Sequence, residues 1–344
     1  MPAMARSTVK PGTENTEISS PDGAEQAFPI EPVDADGTPP AEVARNRPWP
    51  LLLLKTMRPK QWTKNGVVLA AIVFAFRFRD PQAIALTAAA FILFCLLSSA
   101  VYIMNDLADR EADRKHPRKR YRPLASGALN PSIAVAACAV ILVGTLGLAF
   151  AINWQFGAIC VLYFATQIAY SFWLKHVVIV DVLLLASGFV LRAMAGALVI
   201  DVPISPWLYV CVTLLGLFIG CSKRRHELIL LSEGAGSHRK ILQEYSPVLL
   251  DQMITVVTSS TVMAYAMYTF TAKNLPENHM MMVTIPFVLY GIFRYQYLIY
   301  QKNEGGAPDE LLLRDRPLLV CVILWGLTAV VVLTLARIYN LPLQ

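Results

Sequence analysis

From residue 64 onward, long apolar runs alternate with short polar links. Runs at 64–79, 82–104, 131–152, 155–173, 177–199, 205–222, 248–271, 281–300 and 317–339 approach the roughly 20 mostly apolar residues that a membrane helix needs. The pattern predicts an all-α, polytopic membrane protein with nine transmembrane helices. The first run is the weakest, because Arg77 and Arg79 crowd its end. Residues 1–46 break the pattern. They are rich in Pro, Glu, Asp, Ser, Thr and Ala and poor in aromatics. Such a segment cannot bury enough apolar surface to offset its ordering entropy. A disordered tail over 1–46 and a membrane domain over 47–344 are therefore expected. The tail lacks the charged start and apolar stretch of a signal peptide.

The basic residues give the expected topology. Links before the first run and after the second, fourth, sixth and eighth carry nearly all of them, among them Lys60, Lys64, Arg110, Arg122, Lys175, Lys223 and Arg314. With nine helices these links fall on one side. By the positive-inside rule that side, and the N-terminus, are cytoplasmic, as in a multi-pass plasma-membrane protein.

Composition agrees. Hydrophobic residues make up 56% of the 344 residues and charged residues 16%, against about 25% charged in an ordinary soluble domain. Mean hydropathy is +0.49. The net charge of +6 would raise nucleic acid as a partner in a soluble protein. Here the cations flank membrane runs, where they set topology and meet anionic phospholipid headgroups, and no nucleic acid is expected. The six cysteines form no CxxC pair, so neither a metal site nor a disulfide framework is expected from them.

Chemistry concentrates at the basic side. The second run ends in Asn105-Asp106-Leu107-Ala108-Asp109-Arg110-Glu111-Ala112-Asp113. If the helix continues, Asp106, Asp109 and Asp113 share one face with Asn105 beside them. Oxygen ligands suit Mg²⁺, which bridges to substrate phosphates; the alternative is a solvated helix end paired with Arg110 and Arg114. The next residues, Lys115 to Pro123, place Lys119 and Arg122 directly after the acids. An acidic face followed by a cationic loop suits a Mg²⁺-diphosphate.

A second polar stretch holds Tyr170, Ser171, Lys175 and Asp181. It reads either as part of a site or as an interfacial belt with a snorkelling lysine. Arg192, three turns beyond Asp181, reads equally as half of a buried ion pair or as a substrate contact. Lys60, Gln61, Lys64 and Asn65 stand at the entry of the first run. The amphipathic link 223–247 reads as a lid or as a lipid-surface helix.

Asn105-Asp106-x-x-Asp109-x-x-x-Asp113, with Arg122-Pro123-x-x-Ser126-Gly127 behind it, resembles the UbiA-type superfamily of intramembrane prenyltransferases. The likeness runs through Tyr170, Lys175 and Asp181 and covers roughly 48–340. It implies a nine-helix bundle with a cytoplasmic-side active site. Mg²⁺ would sit among Asn105, Asp106, Asp109 and Asp113. In place of the second Asp-rich motif of the quinone and haem members, residues 170–181 keep only Asp181 as an acid.

Arg58-Pro59-Lys60-Gln61-Trp62-Thr63-Lys64-Asn65, Arg294-Tyr295 and Asp315-Arg316-Pro317 are similar to one branch of the family. That branch transfers phosphoribose from 5-phosphoribosyl 1-diphosphate to decaprenyl phosphate for cell-wall arabinan. The resemblance implies leaving-group stabilisation by Lys119, Arg122 and Lys175. It implies contacts from Lys60, Gln61, Lys64, Asn65 and Tyr170 to the sugar or phosphates, and a metal or positioning role for Asp181. A homo-oligomer is in keeping with it. The competing reading is an aromatic or haem prenyltransferase using a prenyl diphosphate.

Overall fold

A computed structural model describes residues 48–116, 119–203, 205–232, 240–272, 275–306 and 308–339. The expected tail at 1–46 lies outside the described residues. In chain order the α-helices are α1 (Trp49–Met57), α2 (Ala70–Phe74), α3 (Pro81–Ala108), α4 (Arg110–Lys115), α5 (Pro131–Ile152), α6 (Trp154–Phe172), α7 (Val180–Val199), α8 (Pro206–Ser232), α9 (Pro247–Thr271), α10 (Ile285–Gln301), α11 (Pro308–Arg314) and α12 (Arg316–Ile338). Eight described helices are long and apolar enough to cross a membrane: α3, α5 to α9, α10 with the preceding turn from Met280, and α12.

The expected first span takes an unusual form. Pro59–Leu69 is a 3-10 helix that runs directly into α2. Its eleven residues at about 2.0 Å rise, with five at about 1.5 Å, reach about 30 Å, close to the hydrocarbon thickness. It lies about five residues earlier than the apolar pattern suggests. Arg77 consequently falls beyond the helix, where it pairs with Asp80 at 2.7 Å.

The helix starts follow local chemistry. Asp80, Asn130, Asn153 and Ser246 each accept backbone N–H bonds in the first turn that follows. Three of the four precede a proline at N1, where a missing N–H costs nothing. Successive long helices pack side by side in chain order. The 59–74 segment lies against α3 and α7, and Phe74 meets Trp325 of α12 at 5.9 Å between ring centroids. Outward faces are apolar, with Val140, Val143 and Leu327 exposed, as lipid contact requires. The six cysteines are unpaired.

Candidate active site

The C-terminal end of α3, the N-terminal ends of α7 and α9 and the C-terminal end of α8 lie at the same end of the bundle, because consecutive spans alternate in direction. Two polar clusters sit there.

In the first, α3 stops at Ala108 and Asp109 forms a joint (φ −87°, ψ 2°) before α4. The helical hydrogen bonds still run across the joint, from Asp109 N–H to Asn105 O and from Asp113 N–H to Asp109 O. Asp106 and Asp113 are buried and Asp109 is exposed. Asp106 and Asp113 share one partner: Arg122 Nη1 donates to Asp106 Oδ1 at 3.2 Å and to Asp113 Oδ2 at 2.7 Å. Arg58 Nη2 donates to Asp106 Oδ1 at 2.5 Å.

Among the described residues no group of three or more carboxylates, histidines or cysteines is poised around one point. The expected three-acid face is thus two inward acids bridged by an arginine, with Asp109 turned out by the break. The donor set still fits a hard cation. Two carboxylates that reach a single guanidinium nitrogen can reach a single metal ion, and Asn105 and Asp109 flank them.

The loop that carries Arg122 is held from below. Arg110 Nε donates to Leu124 O and Arg114 Nε to Ala125 O. The alternative reading, a helix end paired with Arg110 and Arg114, is therefore not what these arginines do; Arg114 pairs instead with Glu111. Leu124 and Leu129 are buried beside Leu52 of α1 and Ile103 of α3. Gly127 has φ +78°, a backbone state that glycine adopts without strain. Lys119 is exposed at the mouth of this loop.

Arg58 was not singled out by its type or spacing. It occupies the left-handed region (φ 54°) between α1 and the 3-10 helix, which turns its side chain across the Tyr102 ring at 4.9 Å toward Asp106. The Arg58-Pro59 step was visible in the sequence, but the positive φ that aims the side chain was not.

The second cluster centres on Asp181, which is wholly buried. Arg224 Nε donates to its Oδ2 at 2.5 Å and Tyr245 O–H to its Oδ1 at 2.7 Å. Arg224 also donates to Tyr170 Oη at 2.9 Å and pairs with Glu227. Each Asp181 oxygen thus accepts one strong bond from within the cluster. Its charge is met by Arg224, which the sequence placed merely in a basic link. The Tyr245 phenol is pushed above its ordinary value by burial, and by its bond to the Asp181 carboxylate.

Of the remaining expected residues, Lys175 is half-buried with no bonded partner among the described residues. Gln61 accepts from Lys64 and is half-buried, and Lys60 is exposed at the same entry. Asn65 bonds to neither of the two clusters among the described residues. It is fully buried, accepting from Arg192 Nε at 2.7 Å and donating to Ser98 Oγ at 3.2 Å. Among the described residues Arg192 in turn pairs with no carboxylate, so of its two readings the buried ion pair is not the one seen.

The fold and the two clusters define a membrane-embedded transferase bundle whose polar residues gather at one end. A family model described as the UbiA prenyltransferase family matches residues 66–314. The chain belongs to that family. It is 35% identical over 280 residues to a decaprenyl-phosphate phosphoribosyltransferase from Corynebacterium glutamicum, covering 79% of this chain and 84% of that protein. It is 32% identical over 277 residues to the enzyme of the same name from Mycobacterium tuberculosis, covering 79% and 91%. The fold matches a UbiA homolog from Archaeoglobus fulgidus bound to DMAPP and Mg²⁺, with a TM-score of 0.62 and 19% identity over 82% of this chain and 99% of that one.

Proposed function

We propose that the protein transfers the 5-phosphoribosyl group of 5-phosphoribosyl 1-diphosphate to decaprenyl phosphate and releases diphosphate. The observation that carries this is the extended similarity to two enzymes of that named activity over 79% of the chain. The cation-rich site supports it. A donor with a diphosphate and a separate 5-phosphate needs more positive partners than a prenyl diphosphate does.

Mg²⁺ would be held by Asp106 and Asp113, with Asn105 and Asp109 beside them, and would supply charge neutralisation of the diphosphate. Arg122 and Arg58 now neutralise those carboxylates. Were a metal to take over that role, the same guanidiniums would be released to donate paired N–H groups to phosphate oxygens. Lys175 and Lys119 add charge at the same end. The bond between ribose C1 and the diphosphate oxygen breaks, with the electron pair leaving on diphosphate. C1 gains oxocarbenium character, and an oxygen of the lipid phosphate bonds to it. That oxygen is already anionic, so no general base is required. The site faces the cytoplasm in this reading, since the positive-rich links share its side.

The test is label transfer from 5-phosphoribosyl 1-diphosphate to decaprenyl phosphate by the purified protein in detergent, with and without Mg²⁺. Mg²⁺-dependent label in the lipid phase, lost in Asp106→Asn, is the expected result. Label transferred only from a prenyl diphosphate to an aromatic acceptor would replace this reading.

A further inference from the structure

Arg192 is 7% exposed and lies about 16 Å along α7 from Asp181, deep in the apolar part of the bundle. Its three hydrogen-bond partners are neutral: Nε donates to Asn65 Oδ1, Nη1 to Gly188 O and Nη2 to Tyr163 Oη, each at 2.7 Å, and the Tyr163 and Phe189 rings lie 4.8 and 5.8 Å from its guanidinium carbon. A guanidinium has five N–H donors, so two have no acceptor among the described residues. A buried cation without an anionic partner is costly, and more so at membrane depth.

The neighbours bring no anion, and two of them carry further donors. The Tyr163 hydroxyl accepts from Arg192 and keeps its own proton. Gln167, one turn along α6 from Tyr163, has no bonded partner among the described residues. Its amide and Arg192 Nη1 both approach Gly188, at 3.4 and 3.2 Å from where a side chain there would begin. A methyl group at 188 would press against both, so the glycine lets the two polar side chains come close together. Tyr163, Gln167 and Tyr170 recur at i, i+4 and i+7, so this polar stripe runs toward the Asp181 cluster.

We infer that Arg192, Tyr163 and Gln167 form an anion subsite that takes a phosphate monoester, deeper in the bundle than the Asp106–Asp113 pair. It would receive the substrate phosphate that does not leave. Its identity rests on the proposed reaction, in which both the donor's 5-phosphate and the lipid phosphate are monoesters. The subsite itself rests on the spare donors.

The experiment has two arms. In metal-free detergent solution, the melting temperature of the full chain is followed with ribose 5-phosphate, farnesyl phosphate, ribose and farnesol. One phosphate ester is expected to raise it and the two alcohols to leave it unchanged. The shift should vanish in Gln167→Glu, which turns a donor into a repelling carboxylate, and weaken in Arg192→Lys, which keeps the charge but loses the fork.

In the second arm, the KM of the matching substrate should rise about 10–100-fold in Gln167→Glu, as for a lost charge-assisted hydrogen bond. A rise for the donor assigns the 5-phosphate, and one for the acceptor assigns the lipid phosphate. If neither ester protects the wild type, or if folded Gln167→Glu keeps both KM values, the subsite is wrong and Arg192 is a structural clamp. Protection without any label transfer by the wild type would instead remove the proposed reaction and leave the anion subsite standing. Gln167 is half-buried, so its variants decide the matter even if Arg192 variants fail to fold.

Discussion

Arg224 Nε lies 2.5 Å from Asp181 Oδ2, and neither side chain has any exposed surface. The pair ties the end of α8 to the start of α7. Removing Asp181 leaves the buried Arg224 with only the partly exposed Glu227 carboxylate to meet its charge. Asp181→Asn should therefore cost about 3–5 kcal/mol of stability. Replacing both, as Asp181→Leu with Arg224→Met, should cost less than the Asp181→Asn change alone. Unfolding in mild detergent would measure both; a double change that costs more than Asp181→Asn would show that the charges do not act as a pair.

Tyr245 completes that joint. Its hydroxyl donates to Asp181 and accepts the N–H of Ile179 at 2.7 Å. Ile179 has φ +68°, a strained state for a β-branched residue that needs surrounding support. Ile241, Leu242 and Leu250 bury themselves beside Tyr245. This end of the 223–247 stretch therefore packs on protein. Tyr245→Phe should release it, with faster hydrogen exchange over 240–250 and a loss of about 1–3 kcal/mol. Because the folded phenol is shifted upward, the contribution is fully present below the free tyrosine value of about 10 and is lost only as pH rises beyond it.

Arg122 is expected to matter in two opposed ways. It neutralises Asp106 and Asp113 while the site is free of metal, so Arg122→Gln should leave two carboxylates more open to a bare cation. Mn²⁺ binding followed by electron paramagnetic resonance should tighten in this variant. Turnover should fall by about 100-fold, because a donor aimed at leaving-group charge is gone. Weaker Mn²⁺ binding would mean that Arg122 and the metal do not compete.

Much of this was legible in the residue order. The apolar runs located the eight long helices to within a few residues, except where α8 continues apolar-then-basic through Ser232, because membrane thickness sets their length. The Asp106–Asp113 and Arg122 motifs announced the first cluster because acid and base alternate there within one short stretch. What stayed hidden depends on backbone states and long-range pairing. Nothing in Arg58 betrays a left-handed backbone, nothing in Arg224 betrays a partner 43 residues earlier, and Asn65 looked like a mouth residue until the 3-10 rise carried it inward to Arg192.

The Arg294–Asp315 pair joins two stretches that resembled the same family branch. Arg294 donates from Nε and Nη2 at 3.1 and 2.8 Å, and Asp315 also accepts the Leu318 N–H that opens α12. The Arg294 guanidinium holds the Asp315 carboxyl below the usual carboxylate range. A depressed value means that the stabilisation is present above the free aspartate pKa of about 3.9 and is lost as pH falls through the folded value. Asp315→Asn should lower the melting temperature at neutral pH, and the gap to wild type should close in acid. A gap that stays constant down to pH values well below about 3.9 would assign the effect to the helix cap alone.

Gly196 shows how closely the first span is seated. A side-chain carbon there would lie 2.0 Å from Val68 O, an atom of the 3-10 backbone that cannot swing aside. Alanine in mid-helix normally gains about 1 kcal/mol over glycine. Here that gain should be overturned, because separating α7 from the 59–69 segment also disturbs the Arg192–Asn65 bond one turn away. Gly196→Ala should therefore destabilise by about 1–3 kcal/mol, as overpacking does. Gly144 of α5 is the control, since a side-chain carbon there meets nothing within 4 Å; Gly144→Ala should be neutral or stabilising. Equal melting temperatures for the two variants would mean that the 3-10 segment can move away from α7 at little cost, and that its placement does not fix Asn65 against Arg192.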